Sequence, residues 1–305
     1  MIGLVYKSTG SFYKIKLENG TFVDCKLSGK FRIQDINSTN PICVGDQVLV
    51  DLNESSGNVI KELFERKNYV VRKSVKLSKQ FHIIASNINL CFLIVTPKNP
   101  ETSTMFIDRF LASTISYGID TLILFNKIDN YDKKSKEIAK NLEEIYTSAG
   151  YKTISVSGKK KINIDKLKSI MIGNTCVFSG HSGVGKSTLI NSLDSDLNIK
   201  TLPISDSNLT GQHTTTFSQM YDLNFGSKII DTPGIKGFGL YNVNKHELKD
   251  YFKEFLNINS CKFNNCTHNH EPGCEIKKSV DNGLISRSRY NNYISMLLEI
   301  ENNFR

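Results

Sequence analysis

The chain offers nothing that could cross a bilayer as a helix. Its longest apolar runs, such as Leu90 to Val95 and Leu122 to Phe125, fall far short of the roughly 20 residues that a span needs. The N-terminus lacks a basic segment followed by an apolar stretch, so no secretory leader is visible. An even set of cysteines is also missing: the seven present argue against a disulfide framework and for reduced thiols. A membrane partner is therefore not expected, and the expected location is cytoplasmic. Acidic charge is in deficit, with 30 Asp and Glu against 39 Lys and Arg and a net charge of +9. That surplus suits a polyanionic partner such as nucleic acid, although charge alone suits a generally basic surface equally well.

What is present is enough for two or three domains, since 305 residues exceed one typical core. Residues 1–68 carry short strand-like segments, Ile2 to Lys7, Phe12 to Leu17, Thr21 to Leu27 and Gln47 to Leu52. Turn signals such as Asn19-Gly20 and Gly45-Asp46 separate them. Short strands at this spacing predict a small closed barrel of the OB type. A basic stretch follows, with Arg66, Lys67, Arg72, Lys73, Lys76 and Lys79, either a strip that contacts phosphates or a solvated linker.

Residues 69–240 alternate strand and helix, which predicts a parallel sheet covered on both faces. Ile88 to Val95, Asp120 to Phe125, Thr153 to Val156 and Thr175 to Ser179 read as strands. Phe106 to Ser116, Lys134 to Ala149 and Ile164 to Ile172 read as helices, the second with Ile138, Leu142, Ile145 and Tyr146 on one side. Residues 241–305 predict a short helix over Lys245 to Leu256 with Leu248, Tyr251, Phe252 and Phe255 inward. A Cys/His knot and a terminal helix over Ser286 to Phe304 follow.

Three motifs carry the chemistry. Gly180-His181-Ser182-Gly183-Val184-Gly185-Lys186-Ser187 matches GxxxxGK[ST] between a strand and a helix that continues through Thr188. Its backbone would wrap phosphate oxygens, Lys186 would span the β- and γ-phosphates, and the Ser187 hydroxyl would ligate Mg²⁺. Asn126-Lys127-Ile128-Asp129 ends a buried strand. There a carboxylate accepts the two N–H donors of guanine's Watson–Crick edge, while the Lys127 stem lies along the ring. Ser157 and Gly158 end another strand and would back the base with main-chain amides. Asp231-Thr232-Pro233-Gly234 supplies a carboxylate that reaches Mg²⁺ through water and an amide, that of Gly234, that senses the γ-phosphate.

Between these motifs lies a polar loop, Ser205 to Phe217, suited to closing on the metal and the γ-phosphate. One of Thr214, Thr215 and Thr216 is expected to donate a Mg²⁺ ligand, with Thr215 or Thr216 favoured. Ile235 stands where many GTPases place a water-orienting Gln, so intrinsic hydrolysis should be slow. His213 is the nearest substitute, and a plain surface histidine is the competing reading. The motifs run in the order NKxD, phosphate loop, DxxG, whereas ordinary GTPases run phosphate loop, DxxG, NKxD. The chain therefore reads as a circularly permuted GTPase using GTP, GDP and Mg²⁺. The permutation sends the switch through Gly237 and Gly239 into the C-terminal module, and loss of the γ-phosphate is expected to re-aim that module.

Cys261-x4-Cys266-x-His268-x5-Cys274 supplies three thiolates and one imidazole, a set suited to one structural Zn²⁺. His270 is a rival fourth ligand. Cys25, Cys43, Cys91 and Cys176 sit in or beside strand-like apolar stretches and read as core or edge residues.

These residues together resemble the bacterial ribosome-small-subunit-dependent GTPase A family over essentially the whole chain. Gly3 to Tyr13 is similar to that family's OB barrel. Gly211-Gln212-His213-Thr214-Thr215-Thr216 is similar to its first switch, with Gln212 where Arg is usual, and Cys261 to Cys274 is similar to its zinc module. The resemblance implies zinc on Cys261, Cys266, His268 and Cys274. It implies late maturation of the small (30S) ribosomal subunit, contact with 16S rRNA and subunit-stimulated GTP turnover by a monomer. Phe12, Tyr13 and Phe31 would be either stacking platforms for bases or core residues. The rivals are a GTPase acting on the large subunit and an RNA-binding scaffold with a vestigial nucleotide fold.

Overall fold

Alternation builds the first module. In β2 (Tyr13–Leu17) Tyr13, Ile15 and Leu17 are buried while Lys14 and Lys16 lie on the other side, the period of two that a half-buried strand imposes. β1 (Ile2–Ser8), β3 (Phe22–Leu27), β4 (Gln47–Asp51) and β5 (Asn58–Leu63) complete a barrel in the order β1-β2-β3-β5-β4, closed by pairing of β4 with β1. β3 and β5 run parallel and the other neighbours antiparallel. This is the OB architecture. The sequence reading passes over β5, in which Ile60 alone is fully buried, leaving little alternation to detect. The computed structural model describes residues 1–28, 40–53, 57–73, 81–197, 218–231, 243–258 and 260–303. Phe31, Lys76, Lys79, Gln212, His213, Thr214, Thr215, Thr216, Gly234, Ile235, Gly237 and Gly239 lie outside the described residues.

A hairpin follows the barrel, β6 (Tyr69–Lys73) with β7 (Phe81–Ser86), where the sequence reading has a connector. The main sheet has the order β10 (Lys152–Ser155), β9 (Asp120–Phe125), β8 (Leu90–Val95), β11 (Thr175–Ser179), β13 (Ser227–Asp231), β12 (Gln219–Leu223). All its strands are parallel except β12. Successive residues serve opposite faces. Leu93, Val95, Ile123 and Phe125 share a cluster with α1 (Thr104–Ser116) and α2 (Lys133–Ser148). Phe92, Ile94, Leu122 and Leu124 pack on α3 (Ile164–Met171) and α4 (Lys186–Leu193). In α2 the inward residues are Ser135, Ala139, Leu142 and Tyr146. Leu142, Ile145 and Tyr146 face the core as expected, but Ile138 is exposed and Ala139 is buried in its place.

Two buried ionic joints hold the modules together. In the first, Asp46 is fully buried at the barrel's edge. Its carboxylate accepts Nε and Nη2 of Arg66, each at 2.6 Å, the Ser86 hydroxyl at 2.6 Å and the Cys43 amide at 2.8 Å. Arg66, read from sequence as part of a surface strip, is thus a core residue. Around it, Tyr6 and Val44 of the barrel share one apolar cluster with Val70 and Ala85 of the hairpin. β1 also touches β12 at Lys7 and Gln219, where Asp222 accepts Tyr6 Oη and Lys16 Nζ, both at 2.6 Å.

The second joint fixes the C-terminal module, which contains α5 (Lys253–Leu256), α6 (Glu275–Asp281) and α7 (Arg287–Asn303). The predicted helix over Lys245 to Leu256 is instead a 3₁₀ turn, Leu248–Tyr251, followed by α5, and α6 is an element the sequence reading omits. Arg289 on α7 is buried. It donates Nε and Nη2 to Glu254 and Nη1 to Asp108 on α1, with its guanidinium near the rings of Tyr146, Tyr151 and Phe252. Burial works against its charge, but Asp108 and Glu254 more than offset that and raise its pKa. Among the described residues no helix is long and apolar enough to cross a membrane.

Removing one member of a buried pair strands the other. Asp46→Ala should therefore cost about 3–5 kcal/mol of stability, read as a lower urea midpoint, whereas Lys61→Ala, which breaks an exposed pair with Asp51, should change it by less than about 1 kcal/mol.

Candidate functional site

Parallel strands deliver their C-terminal loops to one edge of a sheet, and a crevice opens where the strand order reverses. Here that point lies between β8 and β11. The loop Gly180–Gly185 leaves β11 there and enters α4 at Lys186. Gly185 takes φ +92°, and a Cβ on it would sit 2.6 Å from Asn126 Nδ2, so only glycine lets the loop pass under the Asn126 side chain. Val184 is buried as the loop's internal anchor. Because α4 starts at Lys186 where the loop ends, the amides of its first turn lack intrahelical partners, as an anion site requires.

Asn126 lies just beyond β9, is buried, and spans two loops. Its Nδ2 donates to Val184 O at 2.8 Å, and its Oδ1 accepts the Gly158 amide at 3.4 Å. Lys127 takes φ +67° and donates Nζ to Gly183 O and Asn99 O, both at 2.7 Å. Burial lowers its pKa, while its stem remains available to a ring. Ile128 opens a 3₁₀ turn that carries Asp129 to the surface. Ser157 is buried and donates its hydroxyl to Asp129 Oδ1 at 2.6 Å, which fixes the orientation of that exposed carboxylate. A Cβ on Gly158 would meet the α4 backbone at Leu189, 2.9 Å from its Cα. That contact is why the third loop needs glycine against the phosphate-loop helix.

Opposite them Asp231 ends β13, and its carboxylate lies 3.9 Å from Lys186 Nζ, so both groups address one spot. Ser187 stands beside them in the first turn of α4, half-buried, with Thr188 exposed. His181 and Ser182 form the outer lip of the loop. The structure therefore brings together Asn126 to Asp129, Ser157, Gly158, Gly180 to Thr188 and Asp231. Sequence reading misses one feature of this lip: Phe106 of α1 stacks on the His181 ring, with centroids 3.8 Å apart. A lone aromatic in an apolar helix carries no signal of that contact.

The second centre lies before α6. The donor atoms of Cys261, Cys266, His268 and Cys274 all fall within 4.8 Å of one another. His268 Nδ1 is 3.4 Å from Cys274 Sγ and 3.7 Å from Cys261 Sγ. A tetrahedral zinc with Zn–S of about 2.3 Å and Zn–N of about 2.0 Å has S···N edges of about 3.5 Å, so the donor set fits that ion. Burial and Lys249 push the His268 pKa down to about 4, which keeps its ring neutral and able to ligate. Outer contacts hold the loop: Tyr290 and Tyr293 donate to His268 O and Thr267 O, and Glu271 accepts from Thr267 and Asn269. The rival His270 is exposed and outside the cluster. Cys25, Cys43, Cys91 and Cys176 are buried away from it, and burial raises the pKa of each.

The family model described as "RsgA GTPase" matches residues 63–241, and that described as "RsgA N-terminal domain" matches residues 2–60. A protein of Christiangramia forsetii named "Small ribosomal subunit biogenesis GTPase RsgA" is 52% identical, with 100% of this chain and 98% of that protein covered. Its namesake in Flavobacterium johnsoniae is 52% identical, with 100% and 95% covered. The crystal structure of YjeQ from Thermotoga maritima superposes with a TM-score of 0.80 at 34% identity over 98% of each chain. That of YloQ, described as a circularly permuted GTPase, shares the fold at a TM-score of 0.77 and 24% identity, with 99% of this chain and 95% of that one covered. The permuted motif order, the crevice and the full-length relatives converge: this chain is a GTP hydrolase and belongs to the RsgA GTPase family.

Proposed function

We propose that the protein acts in late maturation of the small (30S) ribosomal subunit, grips 16S rRNA, and hydrolyses GTP faster when the subunit is bound. The observation that carries this reading is the joining of a guanine-type crevice to two non-catalytic modules, in a chain collinear with relatives named for small-subunit biogenesis. The barrel has the surface that RNA needs. Phe22 and Phe12 are exposed on its outside. Lys14 lies over the Phe22 ring and Lys26 over that of Phe12, with Nζ 5.2 and 5.1 Å from the centroids. Aromatic faces stack on unpaired bases while such ammonium groups meet phosphates. Tyr13 is fully buried and belongs to the core.

We divide the chain into a barrel over 1–68, the permuted GTPase domain over 69–240 and a zinc module with its terminal helix over 241–305. In the crevice, the Asp129 carboxylate, oriented by the Ser157 hydroxyl, accepts the two N–H donors of the guanine edge. Asn126 fixes the spacing between base and phosphate loop. The amides of Gly180 to Ser187 cradle the phosphates, and Lys186 neutralises charge that develops on the γ-phosphoryl group. The Ser187 hydroxyl and the Asp231 carboxylate would hold Mg²⁺, which would supply positive charge against that developing on the phosphoryl oxygens. Thr215 or Thr216, Gly234 and His213 complete the same reading from outside the described residues. Zinc on Cys261, Cys266, His268 and Cys274 would be structural, because four protein donors leave no open position.

Three measurements test this. Asp129→Asn should weaken GTP roughly 10- to 100-fold, as loss of a bidentate base contact does, and improve xanthosine triphosphate; unchanged guanine selectivity would remove Asp129 from base reading. Elemental analysis should give about one zinc per chain, lost on Cys266→Ser, and a zinc-free sample with an intact α7 would contradict the structural role. GTP turnover should rise with purified 30S and not with 50S subunits; stimulation by 50S alone would point to the large subunit, and no turnover at all to a scaffold.

A further inference from the structure

α1 faces three ways. Its first turn touches the phosphate loop through the stack of Phe106 on His181, with planes 31° apart. Burial lowers the His181 pKa, so two neutral rings meet. The chain just before α1 is tied to the same place, because Lys127 Nζ joins Asn99 O to Gly183 O. A second side, Ile107, Phe110 and Leu111, enters the core under the sheet. A third side, Met105, Asp108 and Ala112, follows the i, i+3, i+7 spacing of one helix stripe and meets the C-terminal module.

The grip on that third side is polar and directional. Asp108 accepts Nη1 of Arg289 at 2.5 Å and Nδ2 of Asn292 at 2.6 Å, while Arg109 donates to both carboxylate oxygens of Glu299 at 2.7 Å. The residues that directly follow Arg289 and Asn292 carry α7 to the metal loop: Tyr290 donates to His268 O and Tyr293 to Thr267 O, both at 2.7 Å. A continuous set of contacts therefore runs from the second residue of the phosphate loop to the backbone of a metal ligand.

We propose that α1 is the mechanical link between the phosphate loop and the Cys/His module, with Phe106 as the positioning residue at the nucleotide end and Arg289 as its anchor in the module. The argument is one of stiffness. A helix of 13 residues is a rod of about 20 Å, and a buried guanidinium shared by two carboxylates cannot slide without leaving a charge unpaired. A stacked ring tolerates small lateral motion, so adjustment is confined to the Phe106 end. Phosphates that reposition His181 shift α1 as a body and α7 with it. By linkage, whatever restrains α7 alters nucleotide affinity by the same factor. The link rests on GTP occupying the phosphate loop and makes no use of the ribosome, so it stands or falls separately from subunit stimulation.

Hydrogen exchange of the full-length, zinc-loaded protein tests it, without nucleotide and with a non-hydrolysable GTP analogue. In the unaltered chain the analogue should slow amide exchange within residues 287–303. Phe106→Ala should remove most of that difference and weaken the analogue about 5-fold or more, the lower range of typical site-to-site coupling, and Phe106→Tyr should restore both. Asn292→Ala, which leaves Arg289 and its carboxylates in place, should weaken the analogue by at least about 2-fold while zinc content stays normal and the protein stays folded, with a melting temperature lowered by the lost bond to the buried Asp108 carboxylate. An exchange difference that persists in Phe106→Ala, or is missing from the unaltered chain, would overturn the link. So would unchanged analogue affinity in a folded Asn292→Ala protein.

Discussion

Everything in this protein depends on where a parallel sheet puts its loops. β8, β9, β10, β11 and β13 run in one direction, so the segments after them open on a single edge. The order reverses between β8 and β11, and the two strands send their connections to opposite faces. The crevice left there is the space in which a phosphate can meet backbone amides without displacing a side chain. Because the requirement is spatial, the order of strands along the chain is free. NKxD can precede the phosphate loop provided that Asn126 still reaches Val184 O and the Gly158 amide. Those two hydrogen bonds hold in register loops whose order along the chain permutation has changed.

The modules are joined by buried ions as well as by apolar surface. Asp46 with Arg66 and Ser86 sets the barrel against the hairpin, and Arg289 with Asp108 and Glu254 sets α7 against α1. Such pairs add little net stability, because desolvation cancels most of their attraction. Their value is geometric. An apolar interface tolerates rotation and slippage, whereas a guanidinium forked onto fixed carboxylates allows one arrangement. That definition keeps each module in one orientation to the sheet, which extra apolar contact alone would not do.

The fold and the crevice were legible where chemistry demands particular residues at short spacing. The phosphate loop, NKxD and the Cys/His set each need a local backbone geometry, and each stands in a contiguous stretch. Strands buried on both faces, such as Leu90–Val95, were legible as continuous apolar runs. The rest depends on contacts between distant positions. Arg66 reads as one more cation in a basic stretch until Asp46, twenty residues earlier, is folded beneath it. Asp108 is an acid inside an apolar helix, a signal that something buried must answer it, but nothing local names Arg289, 181 residues on. α2 shows the finer limit: Ile138 fits the helical period, yet Ala139 is the residue facing the sheet, since packing chooses between adjacent phases.

The permutation also decides what the nucleotide can move. In this chain the sheet has two boundaries with other modules, and each begins beside the crevice. β12 forms one, fastened to the barrel through Asp222 by Tyr6 and Lys16. α1 forms the other, fastened to the C-terminal module through Asp108. Neither contact touches the nucleotide, yet β12 is paired along its length to β13, which ends in Asp231, and α1 starts against His181. The barrel is thus fastened to the partner strand of β13 and the Cys/His module to a helix that starts against the phosphate loop. Were a partner gripped by both modules, a change at that one edge would bear on both grips.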